Sequence, residues 1–263
     1  MPAVYAHARF GQKVLALLNE DQKKIIKKYR KTYDVGLQGP DIFFFYRPYQ
    51  KNKVSTYGNH LHEISAYPFF EHALQVIEQK GRDSAEFAYL LGFLCHFTLD
   101  SECHPYVNEM IRVSHVQHLE IEEEFEKKLL RMDGKDPFSY PLDTLIAADQ
   151  KTAEAIAPFY EGMDVVTVQK SLEWMKRIKK LFYTPKQGKY TAINLAMKMT
   201  GKYAYLKGLM HQHQDNPNCF ESNEGLLHRF DKAVFVAVNL IAEFDDALKQ
   251  KKDLPKRLDR TFE

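Results

Sequence analysis

Residues 85–103 read AEFAYLLGFLCHFTLDSEC, and this run decides the fold. It is apolar nearly all round, the pattern of a helix covered on every side rather than one lying on a surface. Such a helix needs other helices to cover it. Within it stand His96 and Asp100, four residues apart and therefore on one face. His104, four further on, extends that face, and Pro105 disfavours helix at His104, so the helix is predicted to end there. Three polar groups in an apolar element need partners, because an unpaired buried charge is costly or shifts its pKa until it is neutral. A divalent cation satisfies all three together. A His–Asp hydrogen bond inside the core accounts equally well for the pair alone, so the pair does not choose between the two readings.

Working outward, the pattern is helical almost throughout. Phe10, Val14, Leu17 and Leu18 recur at the three-to-four spacing of an amphipathic helix, and residues 21–33 repeat it with Ile25, Ile26 and Tyr29 on one side and lysines on the other. Gly36, Gly39 and Pro40 break the pattern and put Asp41 at or near a helix start. A helix is expected over about 63–80, closed by Gly81, with Asp83 or Ser84 capping the next. Another should run over 117–132, followed by a turn at 133–141 (DGKDPFSYP). Helical patterns follow near 143–160, 164–183, 188–199 and 224–250, and the charged last dozen residues are expected to fray. No alternating strand pattern persists; the FFFY run at 43–46 fits either a short strand or buried helix. The expected class is all-α, with residues 1–135 as a ligand-bearing helical core and 136–263 as a second helical half packing on it and offering a partner surface.

The chain has 263 residues, 44% of them hydrophobic, enough for a sizeable core. With 37 Lys and Arg against 35 Asp and Glu, the net charge of +2 argues against bulk electrostatic capture of nucleic acid. Three cysteines, Cys95, Cys103 and Cys219, make no disulfide framework. The N-terminus lacks the pattern of a secretory signal and no apolar run is long enough to span a membrane, so the expectation is a soluble, cytoplasmic protein.

Further candidate ligands flank the central helix. His118 and Glu122 are four apart at the start of a helix and can chelate one ion from one turn, although Glu120, Glu123, Glu124 and Glu126 make this an acidic stretch expected to be mostly solvated. Upstream lie Asp41 after the Gly-Pro break, His60 and His62 in GNHLHE, and His7 ahead of the first amphipathic helix. Nitrogen and carboxylate donors without cysteine suit a catalytic zinc site, which keeps a position open for water. His211, His213 and His228, in the second half, form no recognisable ligand set; HQH beside Asn216 and Pro217 reads as a surface loop.

The run GFLCHFTLDSECHP, with HARFG, GPDIFFFY and GNHLHE upstream and HLEIEEEF downstream, resembles the zinc-dependent phospholipase C family, itself related to the S1/P1 nucleases. The resemblance covers roughly residues 5–130. It implies an all-helical phospholipase C/P1 nuclease-like fold with two to three zinc ions held in a cleft. It also implies the ligand order His7, Asp41, His62, His96, Asp100, His104, His118 and Glu122. Asp41, His62 and His96 would hold one zinc, Asp100 would bridge it to a second shared with His7, and His104, His118 and Glu122 would hold a third. His62 is preferred to His60 because it directly precedes the expected helix.

The activity implied is hydrolysis of a phosphoester, with a metal-bound hydroxide attacking phosphorus, Asp41 orienting or deprotonating the water, and Asp100 serving two ions. The substrate would be a phosphodiester such as a phospholipid; a nuclease-like phosphodiesterase and a non-catalytic metal-binding helical protein are the alternatives. Phe43, Phe44, Phe45, Tyr46, Tyr49 and Tyr57 fit either core or contacts to bases or acyl chains. The basic run KKIIKKYRK at 23–31 fits an anionic surface or, more simply, a solvated helix face. No adjacent His-Asp pair, His-Glu-x-x-His, P-loop, dinucleotide fingerprint or Gly-x-Ser-x-Gly elbow is present.

Overall fold

A computed structural model describes residues 3–262. Among them are twelve α-helices and no strand. They are α1 (Val4–Leu17), α2 (Glu20–Lys28), α3 (Arg30–Gly36), α4 (Lys53–Glu63), α5 (Tyr67–Lys80), α6 (Ala85–Ser114), α7 (His118–Met132), α8 (Gln150–Ile156), α9 (Val165–Phe182), α10 (Gln187–Met199), α11 (Tyr203–Leu206) and α12 (Phe220–Gln250). Short 3-10 turns link several of them, including Gly39–Phe45, so the FFFY run is helical and not a strand.

The axis of the fold is α6. Ser84 caps it, its side chain accepting from the Phe87 amide, a bond typically worth about 1 kcal/mol. Nineteen of its thirty residues are buried, and α1, α3, α7 and α12 pack around it. The contact with α3 is backbone against backbone: a Cβ on Gly36 would lie 2.2 Å from the Tyr89 carbonyl, and one on Gly92 2.3 Å from that of Tyr33. Phe70, Phe87, Phe93, Phe97 and Phe244 fill the space beside it, each burial contributing about 1.5–3 kcal/mol.

The chain departs from the sequence expectations where tertiary contacts override local signals. Helix α6 does not stop at His104 but continues through Pro105 to Ser114. An interior proline costs about 3 kcal/mol; beyond it Val107 and Met110 are buried, and their packing offsets that cost. The single helix expected over 21–33 is two, broken at Tyr29, whose backbone leaves the helical region at φ −119°, ψ 42°. The helix expected over 63–80 is α5 and starts at Tyr67, and ahead of it stands an unexpected helix, α4, which Asn52 caps by accepting from the Ser55 amide. His7 lies within α1 rather than ahead of it. The acidic stretch in α7 is buried, not solvated: Glu120, Glu122, Glu123, Glu124 and Glu126 are all covered. The 207–216 segment covers them, with Lys207 pairing Glu120, the Gln212 amide donating to Glu123 and the Asn216 amide to Glu124. His211 is therefore buried, not on a surface loop. The tail does not fray either. Leu254, Leu258 and Phe262 are buried, and the Ala66 amide donates to the Arg260 carbonyl.

Candidate metal centre

Five elements bring eight side chains together. Helix α1 supplies His7, the Gly39–Phe45 turn Asp41, and the last turn of α4 His62; α6 supplies His96, Asp100 and His104 from one face, and the first two turns of α7 His118 and Glu122. All are buried except His118, which is one-third exposed. His60 points to solvent, as do His115 and His228, while His72 binds the Pro158 carbonyl. Gly39 makes the approach of the Asp41 turn possible. Its φ of +49° is a left-handed conformation, and a Cβ there would lie 2.2 Å from the His96 ring.

Asp41 Oδ1 is 3.0 Å from His62 Nε2 and 3.9 Å from His96 Nε2; Asp100 Oδ2 is 3.2 Å from His96 Nε2, and Oδ1 3.3 Å from His7 Nε2. Ligands about 2.1 Å from a tetrahedral zinc stand roughly 3.4 Å from one another, the middle of this range. One donor atom from each of Asp41, His62, His96 and Asp100 lies within 4.8 Å of the others, and so do donors from His104, His118 and Glu122. In the second group Glu122 Oε1 is 2.6 Å from His118 Nε2 and 3.7 Å from His104 Nε2.

The rings are oriented from behind. His62 Nδ1 donates to the Gly58 carbonyl at 2.8 Å and His96 Nδ1 to the Leu37 carbonyl at 3.3 Å. A carbonyl can only accept, so each Nδ1 carries a proton and each Nε2 is turned to the centre, the orientation metal-binding histidines adopt; His62 Nε2 meets Asp41 Oδ1 there at 3.0 Å, while His96 Nε2 has no hydrogen-bond partner. Burial pushes His96 down to about 3, so its ring is neutral near pH 7. Burial opposes ionisation of Asp100, but the rings of His96, His104 and His7 outweigh it and hold the carboxyl well below the usual range. The Glu122 charge raises His118, and Glu122, despite burial, is lowered to about 2. Both oxygens of Asp100, His96 Nε2, both ring nitrogens of His7 and of His104, and Glu122 Oε2 make no hydrogen bond within the protein. So many buried polar atoms without a hydrogen-bond partner, carboxylate oxygens and imidazole nitrogens together, leave a large cost unless cations sit among them. These residues fit zinc.

Above the cluster opens a cleft of about 840 Å³ with His62, His104 and His118 on its wall. Phe44, Phe45, Ile178, Leu181 and Leu206 make most of the remaining lining apolar. Thus Phe44 and Phe45 meet the cleft, whereas Phe43 is core. Two features escape sequence reading. Beside the cluster, the Phe262 ring lies 5.1 Å from His62 and 5.9 Å from His96; away from it, His211 pairs with Glu126. Phe262 stands alone in a charged tail with no periodicity to mark it, and His211 is matched to Glu126 across 85 residues.

A helical scaffold converging histidines and carboxylates on the floor of a cleft defines a metal-dependent class of protein. The sequence profile of the zinc dependent phospholipase C family matches residues 6–180, a span containing all eight side chains, and the chain belongs to that family. No curated protein and no solved structure matches the chain. No helix among the described residues is long and apolar enough to cross a membrane.

Proposed function

We propose that this chain is a zinc-dependent phosphodiester hydrolase acting on a phospholipid-like substrate, with Asp41, His62, His96, Asp100, His7, His104, His118 and Glu122 as its zinc ligands. One observation carries the reading: the unpartnered buried donors lie directly beneath a cleft whose remaining wall is apolar. In this reading Asp41, His62 and His96 hold one ion, Asp100 and His7 join at a second, and His104, His118 and Glu122 hold a third. Zinc bound there would supply Lewis acidity toward phosphoryl oxygens and acidify water toward neutrality.

The protein's own groups do the rest. Asp41 and Asp100 stay ionised, and in this reading Asp41 would be the base that orients water or takes its proton. The Gly58 and Leu37 carbonyls fix the tautomers of His62 and His96, so no ring rotation is needed when charge develops. The phosphate end of a substrate would face His62, His104 and His118, while an acyl portion would lie along Ile178, Leu181 and Leu206, where burial of each methylene adds about 0.8 kcal/mol of affinity. Among the described residues no acidic side chain lines the cleft, which favours a substrate without a compact cationic headgroup.

The test is elemental analysis of the purified protein together with turnover of a generic aryl phosphodiester, a phospholipid and a single-stranded oligonucleotide. Zinc in stoichiometric amount with lipid turnover supports the proposal. Metal with no turnover on any of the three overturns the hydrolase reading, and faster cleavage of the oligonucleotide overturns the lipid assignment.

A further inference from the structure

The near-neutral total charge conceals a sharp asymmetry. Between Trp174 and Gln214 there are nine Lys and Arg and no Asp or Glu, while the remaining 222 residues carry 28 basic and 35 acidic side chains. Charge segregated in this way marks a surface that meets an anionic partner. The stretch runs from the end of α9 through α10 and α11, and the family match ends at residue 180, before most of it.

Its lysines differ from those of the other basic run, at 23–31. There four of the six basic side chains pair within the fold, Lys23 with Glu20, Lys28 with Asp83, Arg30 with Asp34 and Lys31 with Asp149, so most of that run's charge is neutralised. In the 174–214 stretch Lys180, Lys186, Lys189, Lys198 and Lys202 are exposed, and among the described residues none has a carboxylate at ion-pair distance. Large apolar side chains stand among them. Leu195 and Met199, one turn apart on the outer face of α10, are 59% and 82% exposed, with Lys198 between them; Leu181 and Tyr205 are also half-exposed. Helix α10 is held from its inner side, Asn194 accepting from the Tyr203 hydroxyl and the Tyr190 ring stacking on His213, which leaves the outer face uncovered. Leu181 and Tyr205 belong to this surface and to the lining of the cleft, so the two are continuous.

We infer that this surface docks the protein on an anionic lipid bilayer, with Leu195 and Met199 entering the interface and the surrounding lysines meeting lipid phosphates. Aliphatic side chains interleaved with lysines are the composition of an interfacial anchor. Nucleic acid would be gripped better by arginine and exposed aromatic rings, but from Ile178 to Gln214 there is no arginine, and Tyr205 is the one half-exposed large aromatic. Docking would present the cleft mouth to the membrane. The inference goes beyond the hydrolase reading and is measured by binding rather than turnover, so either can fail while the other stands.

Sedimentation with vesicles of phosphatidylcholine alone, and with an equimolar mixture of phosphatidylcholine and phosphatidylglycerol, tests it. The protein should pellet with the anionic vesicles, less so as salt is raised, and hardly with the neutral ones. Each lysine contributes on the order of fivefold to partitioning, so Lys186→Gln, Lys198→Gln and Lys202→Gln combined should weaken binding about 100-fold. Leu195→Ser with Met199→Ser should weaken it with no change in charge. Neither variant touches the cleft, so both should keep the parent's hydrolysis of a soluble aryl phosphodiester and its melting temperature. Equal partitioning to both vesicles, binding unchanged in the lysine variant, or tighter binding to a single-stranded oligonucleotide than to anionic vesicles would overturn the inference.

Discussion

Asp100 Oδ2 stands 3.2 Å from His96 Nε2, yet the two make no hydrogen bond. The His96 proton is on Nδ1, bonded to Leu37, and burial prevents the ring from taking a second. A carboxylate and an imidazole lone pair therefore face each other in a dry interior, a repulsive arrangement that only a cation between them makes favourable. Asp100→Asn changes the sign of this contact, because the amide can donate to Nε2. Elemental analysis should show at least one zinc fewer per chain, with activity lower by on the order of 100-fold or more. In excess chelator, however, the variant should melt no lower than the parent. Full zinc content in the variant would remove Asp100 as a ligand, and a lower melting temperature in chelator would show that the facing lone pairs are not a liability.

Metal removal follows from the same bookkeeping across the cluster. The proposed zinc ligands are drawn from α1, α4, α6, α7 and the Gly39–Phe45 turn, a constellation that the unfolded chain does not offer. At free zinc one hundred times Kd, one site stabilises by about 2.7 kcal/mol. For a chain of this length that corresponds to a melting temperature about 5–10 °C higher than in chelator. Calorimetry with and without chelator measures it; coincident transitions would mean that the cluster binds no ion tightly.

Most of the core and most of the candidate centre can be read from the sequence because both depend on short-range periodicity. His96, Asp100 and His104 share a face by spacing alone, and His118 with Glu122 by the same rule. Residues whose environment is set by distant chain are another matter. Nothing local to Glu123, Glu124 and Glu126 says that residues 207–216 will cover them, so five glutamates in a row of seven read as solvated. Pro105 reads as a terminator because the packing of Val107 and Met110 beyond it is invisible in the sequence. What stands behind a buried histidine depends on which distant part of the chain passes there, and Phe262 shows this most clearly.

The Phe262 ring packs on His62, His96, Phe93 and Phe97. The tail that carries it is tied down by Arg260 to Glu102 at 2.8 Å and by Ser65 to Asp259 at 2.7 Å. Phe262→Ala should cost about 3–5 kcal/mol. It should also loosen the two rings and so weaken zinc affinity in a competition titration with a chromophoric chelator, whereas Phe262→Leu should keep most of both. If alanine lowered the melting temperature but left zinc affinity at the parent's value, the ring would be packing without positioning.

His211 offers a pH-dependent test away from the metal cluster. Nδ1 faces the Pro137 carbonyl at 2.8 Å and Nε2 faces Glu126 at 3.0 Å, two acceptors, so both nitrogens donate and the ring is an imidazolium. Burial alone would depress the ring, but the Glu126 hydrogen bond and charge prevail and raise it above the ordinary 6.5. Glu126, itself pushed upward by burial, is held low by the same bond. A histidine raised in the fold contributes stability that is fully present below pH 6.5 and is lost as pH climbs through the raised value. The lowered Glu126 contributes above its ordinary 4.5 and loses that only in strong acid. In the neutral-to-alkaline range only the histidine of the pair therefore changes; its neighbour Glu123, which burial pushes up to about 7, ionises near the start of that range in parent and variant alike. His211→Gln should melt below the parent at about pH 6, by roughly 3 kcal/mol for a broken buried pair, and the gap should narrow steadily toward about pH 9 as the parent loses its proton. A gap constant across that range would mean that the ring is neutral in the fold and that Glu126 is held by its other partner, the Tyr5 amide at 2.6 Å.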